Sequence, residues 1–336
     1  MCSGAMRSVL SGYLRELMRG ALRSFKSLLA SFCSTHSAEL QQAGRITALE
    51  PGFQHLHLRE PRSDDSCQLV SQLCRYGTLD SPRFRQWIER LKDPWRVHRK
   101  LWELAYICQA LDERGMLKPG RRGLGFAVGA ERLPSLFASL GCHVVATDLA
   151  SDDDRRLPWA STGQWLGAGE RLNAHGICDP AAFAERVYFH PVGMNDVPRD
   201  LRGFDFTWST CSFEHCGTLE LGLRFVERQM ECLRPGGVAV HTTEFNLTSN
   251  VRTIDRGPYV VYRLRDIEAV CERLSQAGHQ VAPLDIGIGG HPLDLHVDEP
   301  PYPDYPSVPA DDVKHLRLRL GDFASTSIGL IVTRAG

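Results

Sequence analysis

No stretch of the 336 residues is apolar for long enough to form a membrane-spanning helix, so none is expected. There is no CxxC pair and no Cys/His array with zinc-finger spacing, although the chain holds 11 cysteines. Scattered thiols without a secretory signal point to a reducing compartment and a cytoplasmic protein, in which most cysteines serve as small buried apolar residues. Charge of one sign is also lacking. With 39 Lys and Arg against 40 Asp and Glu, the formal net charge is −1, which argues against bulk attraction to nucleic acid. No internal repeat is visible. What is present is an ordinary globular mixture, 43% hydrophobic and 24% charged, enough to bury a large core. The length allows two domains, or one large domain with additions.

Composition divides the chain. Residues 1–37 carry Arg7, Arg15, Arg19, Arg23 and Lys26 against Glu16, with Leu10, Leu14, Leu17, Met18, Leu22 and Phe25 at helical spacing. Such a basic amphipathic tail suits a membrane surface, a targeting peptide, or docking on the body of the protein. Residues 38–76 are polar and read as a linker. Residues 77–120 read as a helical cap. Trp87, Ile88 and Leu91 form one apolar face, and a second helix runs through Leu101, Trp102, Leu104, Ile107 and Leu111.

From residue 121 to 336 the rhythm is alternating strand and helix. Strands are expected at 122–128, 143–147, 187–191, 204–209, 238–243, 280–286 and 326–333. Helices are expected at 131–140, 181–186, 219–233 and 266–277. Repeated βα units predict a Rossmann-like, mostly parallel seven-stranded sheet with helices on both faces. Residues 287–320 form a Pro-rich loop holding His291, Asp294, His296, Asp298 and Glu299. It reads as a lid over a site, or as a rigid crossover between strands.

The first strand leads into Gly123-Leu-Gly125-Phe-Ala127-Val-Gly129. Small residues there let backbone approach a ligand, and the helix that follows offers free N–H groups. About twenty residues later Asp148 ends the second strand, where a carboxylate can accept from ribose hydroxyls. This pair fits a nicotinamide dinucleotide or S-adenosylmethionine. Asn195 and Asp196 follow the third strand, within reach of an adenine amino group or simply forming a turn before Pro198. Ser209 ends the fourth strand, and Leu233-Arg-Pro-Gly-Gly-Val-Ala-Val240 turns from a helix into the fifth.

This set resembles the class I S-adenosylmethionine-dependent methyltransferases over about residues 95–336. The resemblance implies that the Gly-rich turn holds the methionine part of the cofactor, Asp148 the ribose, and Asn195 and Asp196 the adenine. It also implies an antiparallel last strand, Ser325–Val332, inserted beside the sixth. The stretches beginning at His98, His241 and His315 resemble bacterial methyltransferases found with surface-polysaccharide genes. A hydroxyl of a sugar or related polyhydroxy glycan is therefore the expected acceptor. Asn/Asp-Pro-Pro-Tyr, common in amino methylation, is absent after the fourth strand. Ala127 stands where the family usually has its middle glycine.

The segment Thr210-Cys-Ser-Phe-Glu-His-Cys216 follows the fourth strand, on the edge where such sheets bind ligands. His215 is the expected general base, since an ordinary histidine titrates near neutrality, and Glu214 is its orienting partner. Some class I methyltransferases hold a divalent metal through ExxEH. Here Glu214 and His215 match the second half, Cys211 replaces the first Glu, and Glu244 could complete a site. Two other functions stay open: a nicotinamide-dependent oxidoreductase, and a non-catalytic scaffold or binding module that keeps the fold.

Overall fold

The computed structural model describes residues 68–157, 160, 165, 170–303 and 308–336. The basic tail at 1–37, most of the linker at 38–76 and part of the loop at 287–320 lie outside them.

Twelve strands are described: β1 (Ser71–Leu73), β2 (Val97–His98), β3 (Arg122–Phe126), β4 (His143–Asp148), β5 (Val187–Pro191), β6 (Phe204–Thr210), β7 (Leu233–Asn246), β8 (Gln280–Val281), β9 (Leu284–Asp285), β10 (Lys314–His315), β11 (Leu318–Leu320) and β12 (Phe323–Thr333). The helices are α1 (Tyr76–Leu79), α2 (Pro82–Arg90), α3 (Arg99–Glu113), α4 (Leu133–Ser139), α5 (Pro180–Arg186), α6 (Leu219–Arg228), α7 (Leu264–Gln276) and α8 (Pro292–Leu295).

Ten strands form the main sheet, in the order β5-β4-β3-β6-β7-β12-β1-β9, with β8 and β11 paired to β12. The first five are parallel. The order reverses between β3 and β6, which opens a crevice at their carboxyl ends. β12 runs antiparallel against β7 from Ser325–Asn246 to Thr333–Val238 and also pairs with β8, so the expected antiparallel insertion is present. The count is ten rather than seven for three reasons. Residues 71–73, at the end of the expected linker, add β1. Pro283 lacks the N–H that would continue the ladder, and the sixth strand divides there into β8 and β9. The short β11 folds back on β12.

Helix starts follow their local sequence. Ser81 caps α2 by accepting from the Phe84 N–H, with Pro82 in the first position, and Thr218 caps α6 through the Leu221 N–H. α3 is different. It is buried on nearly every side, including Leu101, Trp102, Tyr106 and Leu111, as a helix packed between layers must be. The helical cap is therefore partly core.

Two apolar layers flank the sheet. Trp102, Phe137, Phe206 and Trp208 belong to one, and Phe126, Phe225, Phe245 and Ile267 to the other. Strand alternation explains the two glycines of β3. Gly123 pairs with Phe206 and Gly125 with Trp208. A Cβ on Gly123 would stand 2.3 Å from the Phe206 ring, and one on Gly125 would stand 2.3 Å from the Trp208 ring. Their missing side chains make room for aromatic rings of the neighbouring strand.

Candidate active site

A cavity of about 710 Å³ opens at the carboxyl edge of β3, β4 and β6, within the size range of small-molecule sites. Its floor is the turn Ala127–Glu131. Asp148 and Leu149 form one wall, with Val192, Met194 and Asn195 beside them. Thr210, Cys211, Ser212 and His215 form another wall, and Lys100 and Leu104 of α3 close it from above.

The sequence-predicted residues divide cleanly. Ala127, Gly129, Asp148, Asn195 and His215 all line the cavity. Asp148 accepts the Leu149 N–H at 2.8 Å through one carboxylate oxygen, which fixes its plane. The Asn195 amide N–H donates to the Cys216 carbonyl at 3.2 Å, and its Oδ1 is buried without a partner. An acceptor so placed suits an incoming amino group.

Four expectations are corrected. Gly123 and Gly125 lie inside β3 under aromatic rings, not against the cavity. Asp196 is exposed and outside the lining. Ser209 points into the core and shares a 2.8 Å hydrogen bond with Nδ1 of His241, whose pKa burial pulls down to about 3. Alternation decides this last case: the residue after Ser209 in β6, Thr210, is the one that faces the cavity. The loop at 287–320 contributes no cavity residue among those described. The fully buried Arg317 pins it by donating to the carbonyls of Cys74, Ile288 and Asp294. His291 stacks on Tyr76, and His315 bonds Asp298 at 2.7 Å. These contacts fit a rigid crossover better than a lid.

His215 ends a single 3₁₀ turn, Phe213–His215. Its Nδ1 lies 2.8 Å from the Pro258 carbonyl. A carbonyl only accepts, so Nδ1 carries the proton in the neutral ring and Nε2 holds the lone pair. Nε2 is 3.8 Å from Glu214 Oε1, too far for a hydrogen bond. Glu214 itself is buried under the cavity and accepts from Thr243 at 2.9 Å. Burial raises its pKa, Glu244 adds to the rise, and His215 opposes it.

Below the cavity lies a knot of buried charge. Cys211, Glu214 and Glu244 each bring one ligand atom within 4.8 Å of the others. His215 is not in this group, so the metal set of Glu214, His215 and Glu244 does not assemble. The position is also already served by a cation. Arg99 is ion-paired to Glu244, and its other nitrogen lies 3.6 Å from Cys211 Sγ. Arg99 and Lys100 occupy the first turn of α3, which His98 caps by accepting the Lys100 N–H at 3.0 Å. Cations at a helix N-terminus are unfavourable; Glu103 one turn on offsets them. Its Oε2 lies 2.9 Å from Lys100 Nζ, and its Oε1 accepts from the Ser327 hydroxyl. Burial alone would push the Glu103 carboxyl up, but Lys100, Arg99 and Ser327 hold it below its ordinary value.

The reading of the sequence missed Lys100, Glu131, Arg155, Thr210, Ser212 and Tyr259. Glu131 carried a signal, standing two residues after Gly129. Its Oε1 accepts from the Trp208 indole N–H at 2.7 Å. Burial pushes its pKa up to about 7, against the opposing effects of Trp208, Thr210 and Lys100.

No family model matches the chain, and no curated protein matches it. Solved structures similar to it include several methyltransferases. One is a magnesium protoporphyrin IX methyltransferase from Synechocystis PCC 6803 with bound SAH, at 12% identity and TM-score 0.41, covering 77% of this chain and 97% of that one. Another is an S-adenosylmethionine-dependent methyltransferase from Clostridium acetobutylicum, at 13% identity and TM-score 0.39, covering 71% and 93%. Also similar is a structure of a different printed activity, the [4+2]-cyclase SpnF, at 15% identity and TM-score 0.39, covering 64% and 77%. At such low identity the weight falls on the strand order and the cavity rather than on these alignments.

Proposed function

We propose that the chain is an enzyme that transfers a methyl group from S-adenosylmethionine to a hydroxyl of a sugar or related polyhydroxy acceptor. The observation that carries the cofactor assignment is the placing of Asp148 and Asn195 around one cavity, with the Ala127–Gly129 turn between the strands. Asp148 would accept from the ribose hydroxyls. The buried, unpartnered Oδ1 of Asn195 would accept from the adenine amine. When bound, S-adenosylmethionine supplies a methyl carbon that is already electrophilic.

The protein then has three tasks. It must hold the acceptor oxygen in line with that carbon, exclude water, and take the hydroxyl proton. Alignment of this kind can lower a barrier by several kcal/mol. His215 is the group for the proton: the Pro258 carbonyl engages Nδ1 and sets the tautomer, and Glu214 stands 3.8 Å from Nε2. The sugar acceptor rests on resemblance in the stretches beginning at His98, His241 and His315.

Titration calorimetry with S-adenosylmethionine and S-adenosylhomocysteine tests the assignment. Micromolar binding that Asp148→Ala weakens is expected. Binding of NAD(H) instead would favour an oxidoreductase, and a folded protein that binds none of these ligands would favour a scaffold. Loss of turnover in His215→Ala, with binding retained, is expected on any acceptor found by screening; unchanged turnover would remove His215 as the base.

A further inference from the structure

Charge is spread unevenly over this nearly neutral chain. A cluster of arginines stands at the amino ends of the parallel strands, a strand's length from the cavity at their carboxyl ends. Arg121, just before β3, and Arg234, in β7, both pair with Asp205 Oδ1, at 2.7 and 2.6 Å. Arg202, just before β6, pairs with Glu231 at 2.6 Å. Arg334 follows β12, which runs antiparallel and so ends at the same edge, and it donates to the Glu231 carbonyl at 3.1 Å. Arg122 lies over the Phe204 ring, 4.9 Å from its centroid. Arg199 and Arg228 are exposed. Hydrogen bonding from Arg202 lowers the Glu231 pKa most, and the nearby charges of Arg228 and Arg199 lower it further.

The acids beside these arginines are Asp200, Asp205 and Glu231. Asp205 is buried and fully engaged, since it also accepts the Arg122 backbone N–H at 2.7 Å. Glu227 of α6 is held by Arg273. Seven guanidinium groups thus meet three carboxylates, on a chain whose formal net charge is −1. Three features select the partner. Every cation is an arginine, whose planar fork matches phosphate oxygens two at a time. The cluster also lacks apolar anchors: the large exposed apolar side chains among the described residues are Leu157, Tyr188, Val251 and Leu295, all outside it. A protein partner would need such anchors, and a nucleic-acid single strand would need open rings to stack on. The Phe204 ring is only 2% exposed, beneath Arg122. A layer of lipid phosphates asks for neither. Lastly, residues 1–37 carry five cations against one acid, with apolar residues at helical spacing, a pattern that suits an anionic membrane surface.

We propose that this arginine cluster is a peripheral membrane contact that binds the phosphates of anionic lipid headgroups. Docking by this pole leaves the cavity at the far end of the sheet, open to an acceptor on the water side. The contact goes beyond the methyl-transfer reading and does not depend on it.

The test is co-sedimentation of the full chain with phosphatidylcholine vesicles, with and without phosphatidylglycerol. Binding is expected only with the anionic lipid and should fade as salt rises. Combining Arg122→Gln, Arg199→Gln and Arg228→Gln is expected to weaken it about a hundredfold, from about fivefold for each arginine near the surface. The single changes Arg199→Gln and Arg228→Gln, at exposed positions, carry the test at about fivefold each should the triple variant not fold. A control of equal charge change on α2, Arg83→Gln with Arg85→Gln and Arg90→Gln, should bind as wild type does. Thermal unfolding checks that each variant is folded. The contact is overturned if the full chain ignores anionic vesicles, if the cluster variants bind them like wild type, or if the control loses as much. It is also overturned if the cluster variants lose binding to a single-stranded RNA and keep the vesicles. None of these outcomes touches S-adenosylmethionine binding, which is decided by its own titration.

Discussion

Ala127 and Cys211 follow neighbouring strands in the same left-handed backbone conformation, with φ of +48° and +47°. One comes directly after β3 and the other directly after β6, and both line the cavity. They are also the two positions where the sequence departs from the pattern it resembles. A left-handed non-glycine residue costs about 1–2 kcal/mol. The chain accepts that cost twice on adjacent strands to turn its backbone sharply at the cavity.

Ala127→Gly should therefore relieve strain. The gain is partly cancelled because glycine frees the unfolded chain, by roughly 0.5–1 kcal/mol. A net stabilisation of up to about 1 kcal/mol is expected in urea unfolding, with S-adenosylhomocysteine affinity equal to wild type or higher. A weaker complex would mean that the Ala127 methyl contributes contact rather than obstruction.

Gly123→Ala should act on the fold and not on the ligand. Its new methyl group meets the Phe206 ring on a face remote from the cavity. Overpacking of this kind costs about 1–3 kcal/mol. The midpoint of thermal unfolding should fall, while the dissociation constant measured on folded protein holds. A large loss of affinity at unchanged stability would put Gly123 against the cofactor after all.

Ligand affinity should depend on pH through Glu131. Its carboxyl is raised to about 7 by burial. Below that pH it is neutral and offers little to an ammonium; above it the charge is available. Affinity for S-adenosylhomocysteine should rise between pH 6 and 8, and Glu131→Gln should flatten that rise. Lys100, Asp148, Arg155 and His215 face the same cavity, so the difference between the two profiles isolates Glu131. The stability effect has the opposite sign. Between the unfolded value near 4.5 and about 7 the native state holds the extra proton, so stability conferred by this group declines as pH climbs through that window. Glu131→Gln should flatten that decline too.

Arg99→Met should be severe. Glu103 and Glu244 would lose a buried counter-charge, and breaking such a pair costs about 3–5 kcal/mol. Adding Glu244→Gln should recover part of the loss, because the stranded charge goes with it. If chemical denaturation shows no recovery, the damage lies in packing around α3 rather than in unpaired charge.

Much of this molecule was legible because strands and helices alternate with clear punctuation. Asp148, Asn195 and His215 each follow or end a strand at the carboxyl edge of the sheet, and position along a βα unit was enough to expect them at the cavity they line. The failures came from direction rather than position. Ser209 and Thr210 are neighbours, yet alternation sends one to His241 and the other to the cavity, and the strand's end was misjudged by one residue. Gly123 and Gly125 carry a motif's appearance while serving aromatic rings on β6, a contact made only in three dimensions. Lys100 was hidden for the same reason. It stands more than twenty residues before the Gly-rich turn, on a helix whose burial the local pattern did not reveal.

The clamp made by Arg317 has a kinetic consequence. Its guanidinium joins the carbonyl of Cys74 to a residue 243 positions away along the chain. Contacts of such separation carry a large loop-closure cost and tend to form after local structure is in place. The C-terminal crossover should then be among the last parts of the chain to settle. A conservative change at Arg317 would show mainly as faster unfolding, with the rate of folding nearly untouched.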